Sequence, residues 1–149
     1  MHASTIFMTL LSASGALAAP AVGAVSAMAA VPQWTIKSYT RTCDKSDLSC
    51  AVKFSVDTKI AGAPVTACNF TLKKTGATPA SQAPIDNVTC GPFKVGSGWS
   101  GQFGPGNGFT TLSVVDFSKK LIVWPSYSDA EIVNGKAVSP DKSYAPANL

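Results

Sequence analysis

Apolar and polar residues alternate strictly between Cys50 and Asp57, and this pattern constrains the fold more than any other feature of the sequence. The residues that share the apolar side of an extended chain are Cys50, Val52, Phe54 and Val56. A period of two is typical of a β-strand with one buried and one solvated face. Residues 65–74 repeat the alternation, and Trp34 begins it. The chain is therefore expected to form an antiparallel β-protein.

Residues 109–117 and 120–124 predict a β-hairpin. Its second arm, Leu121, Ile122, Val123 and Trp124, is apolar on both faces. A strand of this kind is usually covered on both sides, either by the protein's own interior or by a partner. We therefore predict a homodimer through these four residues as one way of covering them.

Weaker signals complete the predicted fold. Residues 75–87 predict a loop, residues 88–95 a short strand, and residues 136–138 an edge strand. The capping box from Ser128 to Glu131 predicts a short helix that stops at Asn134 and Gly135. We expect an all-β fold, a small disulfide-bonded antiparallel barrel or sandwich of about seven to nine strands with one short helix near the C-terminus.

The amino-terminal part of the chain has the features of a secretory leader. No Lys, Arg, Asp or Glu precedes Lys37, and the apolar run of residues 6–18 ends in Ala16-Leu17-Ala18. We predict a signal peptide at residues 1–18, a pro-segment or flexible tail at residues 19–33, and a single β domain at residues 34–149. A second cleavage motif at residues 27–29 leaves the mature terminus open. Polar and helix-breaking residues interrupt the run too early for a membrane anchor, so the protein is expected to be secreted and extracellular.

Four cysteines follow the leader, which fits an oxidising compartment. Three pairings can be drawn. We favour Cys43 with Cys50, because they bracket a polar turn, and Cys68 with Cys90, because they close a loop rich in Pro, Ala and Ser. Their spacing does not fit a zinc site, and no histidine follows the leader. We therefore expect no metal and no cofactor.

The sequence offers little for catalysis. His2 is the only histidine and lies in the leader, so histidine-dependent mechanisms are excluded for the mature protein. Two carboxylates could still serve a glycosidase. However, the capping box explains Glu131, a turn explains Asp116, and the start of the helix explains Asp129. We predict no catalytic residue and no enzyme.

Residues 96–108 form a glycine-rich segment that permits two interpretations. Its first six residues satisfy GxGxxG, but the glycines and proline that follow exclude the helix that a dinucleotide site requires. The structural interpretation is an ordered loop in which glycines permit tight turns. The functional interpretation is a recognition surface for a sugar or a protein, formed by Trp99, Gln102, Phe103 and Asn107.

Two further features concern the surface. Asn69 and Asn87 each begin an N-glycosylation sequon, and the alternation places each on the face opposite its neighbouring cysteine. The net charge of +4 is compatible with weak attraction to acidic cell-wall polysaccharide. Nucleic acid is disfavoured because Arg41 is the only arginine.

Three segments in the same order resemble a known family. These are QWTIKSYTRTC at residues 33–43, GSGWSGQFGPGNGFTTLSVVDFSKKLIVWPSY at residues 96–127, and GKAVSPDKSY at residues 135–144. They resemble the small secreted hypersensitive-response-inducing elicitors of filamentous ascomycete fungi, the Hip/Hrip type. The resemblance implies an extracellular, non-enzymatic β-barrel similar to the Alt a 1 allergens, which provokes plant defence and cell death. It carries over no site residues.

Together these observations predict a secreted fungal effector or elicitor that triggers the plant hypersensitive response. Its expected partner is a plant cell-surface component or cell-wall polysaccharide. The alternative is a carbohydrate-binding module that uses Trp99. Enzymatic action ranks third, and an inhibitor of a protease or another enzyme, with the glycine-rich segment as its reactive loop, is a remaining interpretation.

Overall fold

A computed structural model describes residues 30–149. The predicted signal peptide and most of the predicted tail, up to residue 29, lie outside this range. The described part contains β1 (Trp34–Cys43), β2 (Ser49–Asp57), β3 (Thr66–Lys73), β4 (Ile85–Cys90), β5 (Phe93–Ser100), β6 (Phe109–Asp116), β7 (Leu121–Val123), β8 (Ser126–Ser128), β9 (Lys142–Tyr144) and β10 (Ala147–Asn148). One helical turn, α1 (Asp129–Ile132), and 3₁₀ turns at Ala80–Gln82 and Val133–Gly135 complete it.

The strands form two antiparallel sheets. The first has the order β3-β2-β1-β9, and the second has the order β10-β7-β6-β5-β4 with β8 added beside β6. The all-β prediction is confirmed. The barrel alternative is wrong, because the two sheets do not close on each other through strand pairing.

Apolar side chains from both sheets meet in one core. The alternation in β2 is confirmed, since Cys50, Val52, Phe54 and Val56 are all buried. Between the sheets, the rings of Trp34 and Phe93 lie 5.4 Å apart, and those of Tyr39 and Tyr127 stack at 4.1 Å. The hydrophobic effect of burying such side chains, about 1.5–3 kcal/mol each, holds the two sheets together.

Two disulfides reinforce this arrangement, and they join the same pairs that the sequence favoured. Cys43 and Cys50 face each other across the β1–β2 hairpin. Cys68 of β3 is bonded to Cys90 of β4, so this bridge connects one sheet to the other.

The region before the glycine-rich segment differs from the prediction. Residues 88–95 are not one strand, because Gly91 adopts a φ of 54° and turns the chain between β4 and β5. The expected loop at residues 75–87 contains a 3₁₀ turn and the start of β4. β5 continues to Ser100, so only residues 101–108 leave the sheet.

The predicted hairpin is confirmed as β6 and β7. Leu121, Ile122 and Val123 are buried within the chain, with β6 on one side of β7 and β10 on the other. Trp124 is 53% exposed. A homodimer through residues 121–124 remains a prediction. Trp124 is the residue of this segment that is exposed and could contact a partner.

The C-terminal part also differs from the prediction. The expected helix is the single turn α1, because Val133 already has an extended backbone, with φ of −69° and ψ of 147°, one residue before the predicted stop at Asn134. The predicted capping box is confirmed: the Ser128 side chain accepts from the Glu131 N–H, and the Ser128 N–H donates to Glu131 Oε2 at 2.8 Å. Residues 136–138 form no strand; instead β9 pairs with β1 and β10 pairs with β7.

Candidate functional site

Residues 101–108 form a loop between β5 and β6 that we call the arch. Gly104 and Gly106 have φ values of 90° and 78°, which favour glycine. The Gly104 N–H donates to the Gly101 carbonyl at 3.0 Å, and the Asn107 N–H donates to the Gly104 carbonyl at 3.1 Å. The Asn107 side chain also donates to the Phe103 carbonyl at 3.2 Å. The arch is therefore ordered by its own hydrogen bonds.

The indole ring of Trp99 packs against both ends of the arch. A Cβ atom on Gly101 would lie 2.5 Å from this ring, and one on Gly108 would lie 2.6 Å from it. Neither distance is tolerable for a real side chain. Glycine is thus required at both ends of the arch because the backbone passes so close to Trp99.

Asp129 connects the arch to the rest of the molecule. Its Oδ2 accepts a hydrogen bond from Trp99 Nε1 at 2.8 Å, and its Oδ1 forms an ion pair with Arg41 at 3.0 Å. The Asp129 N–H donates to the Gly108 carbonyl at 2.9 Å. Asp129, at the start of α1, thereby holds both the Trp99 indole and the end of the arch in place.

Arg41 is 8% exposed, although it is a charged residue in β1. Its NH1 group donates to the Ser81 carbonyl at 3.0 Å and to Thr110 Oγ1 at 3.3 Å. A bulge in β1 turns it inward: Ser38 has a φ of 52°, and the β1–β2 register shifts between Lys37 and Thr40. The shift reverses the alternation, so odd-numbered residues face the interior beyond it.

The disulfide-closed turn between β1 and β2 joins the same network. Asp47 accepts hydrogen bonds from the Ser81 N–H at 2.8 Å and from the Ser81 hydroxyl. The Asp47 carbonyl accepts one from the Ala80 N–H at 2.9 Å. We call the set of Arg41, Asp47, Ser81, Trp99 and Asp129 the Asp129 network.

Two open grooves flank this network, and Asp129 borders both. The larger, about 660 Å³, is lined by Arg41, Lys45, Asp47 and Asn134 among others. The smaller, about 380 Å³, lies between Gln82, Trp99 and the glycines of the arch. Concave, partly apolar surfaces with a few fixed polar groups are typical of binding sites.

Asp44, which borders the larger groove, and Glu131, which lies outside both grooves, are acceptors rather than acids. The Leu48 N–H, with those of Ser46 and Ser49, lowers the pKa of Asp44. A hydrogen bond from Lys142 lowers the pKa of Glu131. A general acid needs the opposite shift. These two carboxylates are therefore suited to holding structure or a ligand.

The predicted recognition residues occupy different environments. Gln102, Phe103 and Asn107 are exposed on the arch, and Phe103 is 65% exposed. Trp99 is half-buried, and its N–H is already used. The asparagines of both sequons, Asn69 and Asn87, are exposed. Sequence reasoning missed Arg41, Asp47 and Ser81, and its explanation of Asp129 as a helix start overlooked the bond to Trp99.

These features define a small, disulfide-bonded β-protein whose buried polar network supports a surface loop. The model of the Effector TSP1 family matches residues 35–149. A curated relative, Effector TSP1 of Hypocrea virens, is 54% identical over 145 residues, which cover 97% of this chain and 96% of the relative. The chain therefore belongs to the Effector TSP1 family. This supports the fungal effector class predicted from the sequence, whereas the Hip/Hrip type and the Alt a 1-like barrel are not supported by these matches.

Proposed function

We propose that this protein is a secreted, non-catalytic fungal effector that a plant cell-surface component recognises, and that recognition elicits the hypersensitive response and defence. Membership of an effector family supports the general class. We infer the site of recognition from the arch. The arch exposes Phe103, and the Asp129 network holds the base of the arch in place.

A fixed arch favours recognition by shape. A loop that is already ordered loses less conformational entropy on binding than a flexible one. An exposed aromatic side chain at its tip provides the kind of anchor that dominates many interfaces. The two disulfides further restrict the chain and suit a protein that acts outside the cell.

Secretion is supported by the predicted leader and by the family. Among residues 30–149, no helix has the length and apolar character needed to cross a bilayer. The non-catalytic character is supported by the absence of histidine from the sequence after His2 and by the lowered carboxyl pKa values of Asp44 and Glu131.

Leaf infiltration with purified mature protein tests this proposal. We expect an oxidative burst and local cell death with the native protein, and a reduced response with Phe103→Ala. Val65→Ala is the matched control, because Val65 is also an exposed apolar residue, 51% against 65%, and lies outside the arch. Inertness of the native protein across several plant species would contradict the proposal. An undiminished response with Phe103→Ala would exclude the arch as its site.

Carbohydrate binding through Trp99 is the alternative function. One part of Trp99 borders the smaller groove. However, its N–H is bound to Asp129, and glycines of the arch lie against its ring. The exposed arch residues therefore favour a protein partner at this site.

A further inference from the structure

The outer face of the second sheet carries a depression that is separate from the Asp129 network. Two cavities of about 260 and 210 Å³ share Asp86, Gly96 and Ser113. Trp124 borders the first and Phe117 borders the second. These aromatic side chains are 53% and 62% exposed. We call this elongated depression the trough.

Glycines in β5 create the floor of the trough. Gly96 and Gly98 alternate with Val95 and Ser97, so they occupy successive positions on the outer face of the sheet, where Gly98 is exposed and Gly96 is buried. A Cβ atom on Gly98 would meet nothing within 4 Å. At Gly96 it would lie 2.7 Å from the Ser113 hydroxyl and 3.1 Å from Asp86 Oδ1. The floor is thus open at one position and bordered by two polar groups at the other.

A bulge in β4 places Asp86 over this floor. The β4–β5 register shifts between Ile85 and Val88, and Asn87 has a φ of 58°. None of the four ion pairs found within residues 30–149 involves Asp86. Lys94, the lysine that borders the trough, donates to Thr89 at 2.6 Å instead. The trough therefore contains a carboxylate acceptor that is not ion-paired, and its lining carries one acidic and one basic residue.

The spacing of the two aromatic residues follows from the strand register. Val123 pairs with Val114, so Trp124 lies beside Ser113, and Phe117 follows Ser113 by four residues, as the first residue after β6. At about 3.3 Å per residue, these two positions are roughly 13 Å apart. Several linked pyranose rings are needed to span such a distance.

We propose that the trough binds an uncharged, extended β-1,4-linked polysaccharide chain. Aromatic rings pack against the C–H faces of pyranose rings, and the carboxylate and hydroxyl groups between them accept hydrogen bonds from sugar hydroxyls. An acidic polysaccharide is disfavoured because Asp86 and Lys94 leave the lining of the trough without the net positive charge that such a chain would need. This inference does not depend on the proposed function, since the arch lies outside the trough.

Isothermal titration calorimetry with cellohexaose and chitohexaose tests the inference, and hexagalacturonate is the acidic comparison. We expect one of the neutral oligosaccharides to bind, and Trp124→Ala and Phe117→Ala each to weaken it at least tenfold. Gly98→Gln should block the trough without strain, because Gly98 has space for a side chain and no positive φ. Phe103→Ala is the matched control, an exposed aromatic residue of the arch, and should bind normally.

Several results would overturn the inference. These are the absence of binding to both neutral oligosaccharides, tighter binding of hexagalacturonate, and loss of binding in Phe103→Ala with retention in Trp124→Ala. Light scattering supplies another: a dimer that Trp124→Ala dissociates without changing glycan affinity would make the trough a protein interface. A normal leaf response to Gly98→Gln, together with lost glycan binding, would support the trough and leave the role of the arch intact.

Discussion

Asp129→Asn tests the network most directly, because the substitution preserves size and removes charge. In the native protein, Arg41 and Trp99 donate to different oxygens of Asp129, at 3.0 and 2.8 Å. An asparagine can accept one of these hydrogen bonds, but it leaves the guanidinium without a counter-charge. Since Arg41 is 8% exposed, water has little access to compensate.

The expected loss of stability follows from these exposures. Removing one partner of a buried ion pair costs about 3–5 kcal/mol. Asp129 is 33% exposed, so solvent already weakens the pair and the cost is smaller. We expect a decrease of about 2 kcal/mol in the free energy of unfolding. For a domain of this size, that decrease lowers the Tm by roughly 6–10 °C.

Thermal and urea unfolding followed by circular dichroism measure this effect. Asp57→Asn is the control. It breaks the ion pair with Lys59, whose side chain is 52% exposed, so this substitution should change the free energy of unfolding little. Hydrogen exchange at residues 101–108 should also become faster in Asp129→Asn alone. A loss of stability no larger than that of the control, with unchanged exchange in the arch, would refute the reasoning.

Three further predictions concern the rest of the chain. Loss of the Cys68–Cys90 bridge should lower the free energy of unfolding by about 1 kcal/mol more than loss of the Cys43–Cys50 bridge. The reason is that the first bridge closes a longer loop, with a sequence separation of 22 against 7. Equal losses in urea unfolding of the two paired serine variants would contradict this. Burial raises the pKa of Tyr39 to about 12 and also raises the pKa of Tyr127, so the folded state binds these protons more tightly than the unfolded state. Stability should therefore decrease as pH rises from 10 towards 12, and phenolate absorbance should appear together with unfolding; reversible ionisation of every tyrosine before unfolding would count against it. Asn69 is exposed on β3 and lies outside the trough, so protein from a eukaryotic secretory host should lose the mass of one N-glycan in Asn69→Gln, and an unchanged mass would exclude that site.

The strands that the sequence predicted best are those whose burial alternates without interruption. β2 has this property throughout and β6 has it over most of its length, and both were located; β7, which is buried at all three positions, was located by its apolar run instead. β1 does not, because the bulge at Ser38 reverses its alternation. The Ser38 N–H donates to Asp141 at 2.8 Å, across 103 residues of sequence. A local pattern contains no information about such a distant partner, so the inward position of Arg41 could not be predicted.

Only part of the candidate site was predicted, because a local pattern again says nothing about distant partners. The glycine-rich segment marked the arch, because close approach and positive φ both require glycine. The role of Asp129 was missed, because a residue at the start of a helix has a sufficient local explanation. Its bond to Trp99 joins residues 30 apart and becomes visible only when β5 and α1 are adjacent in space.

The short strands β9 and β10 have a consequence for how the protein folds during synthesis. β9 completes the edge of the first sheet beside β1, and β10 completes that of the second sheet beside β7. Ribosomes make the chain from its amino terminus, so β1 is synthesised long before the strand that covers it. Until β9 emerges, the free backbone groups of β1 can pair with other chains, which is a known route to aggregation. Protection by chaperones would therefore be needed most until residues 142–148 have been synthesised.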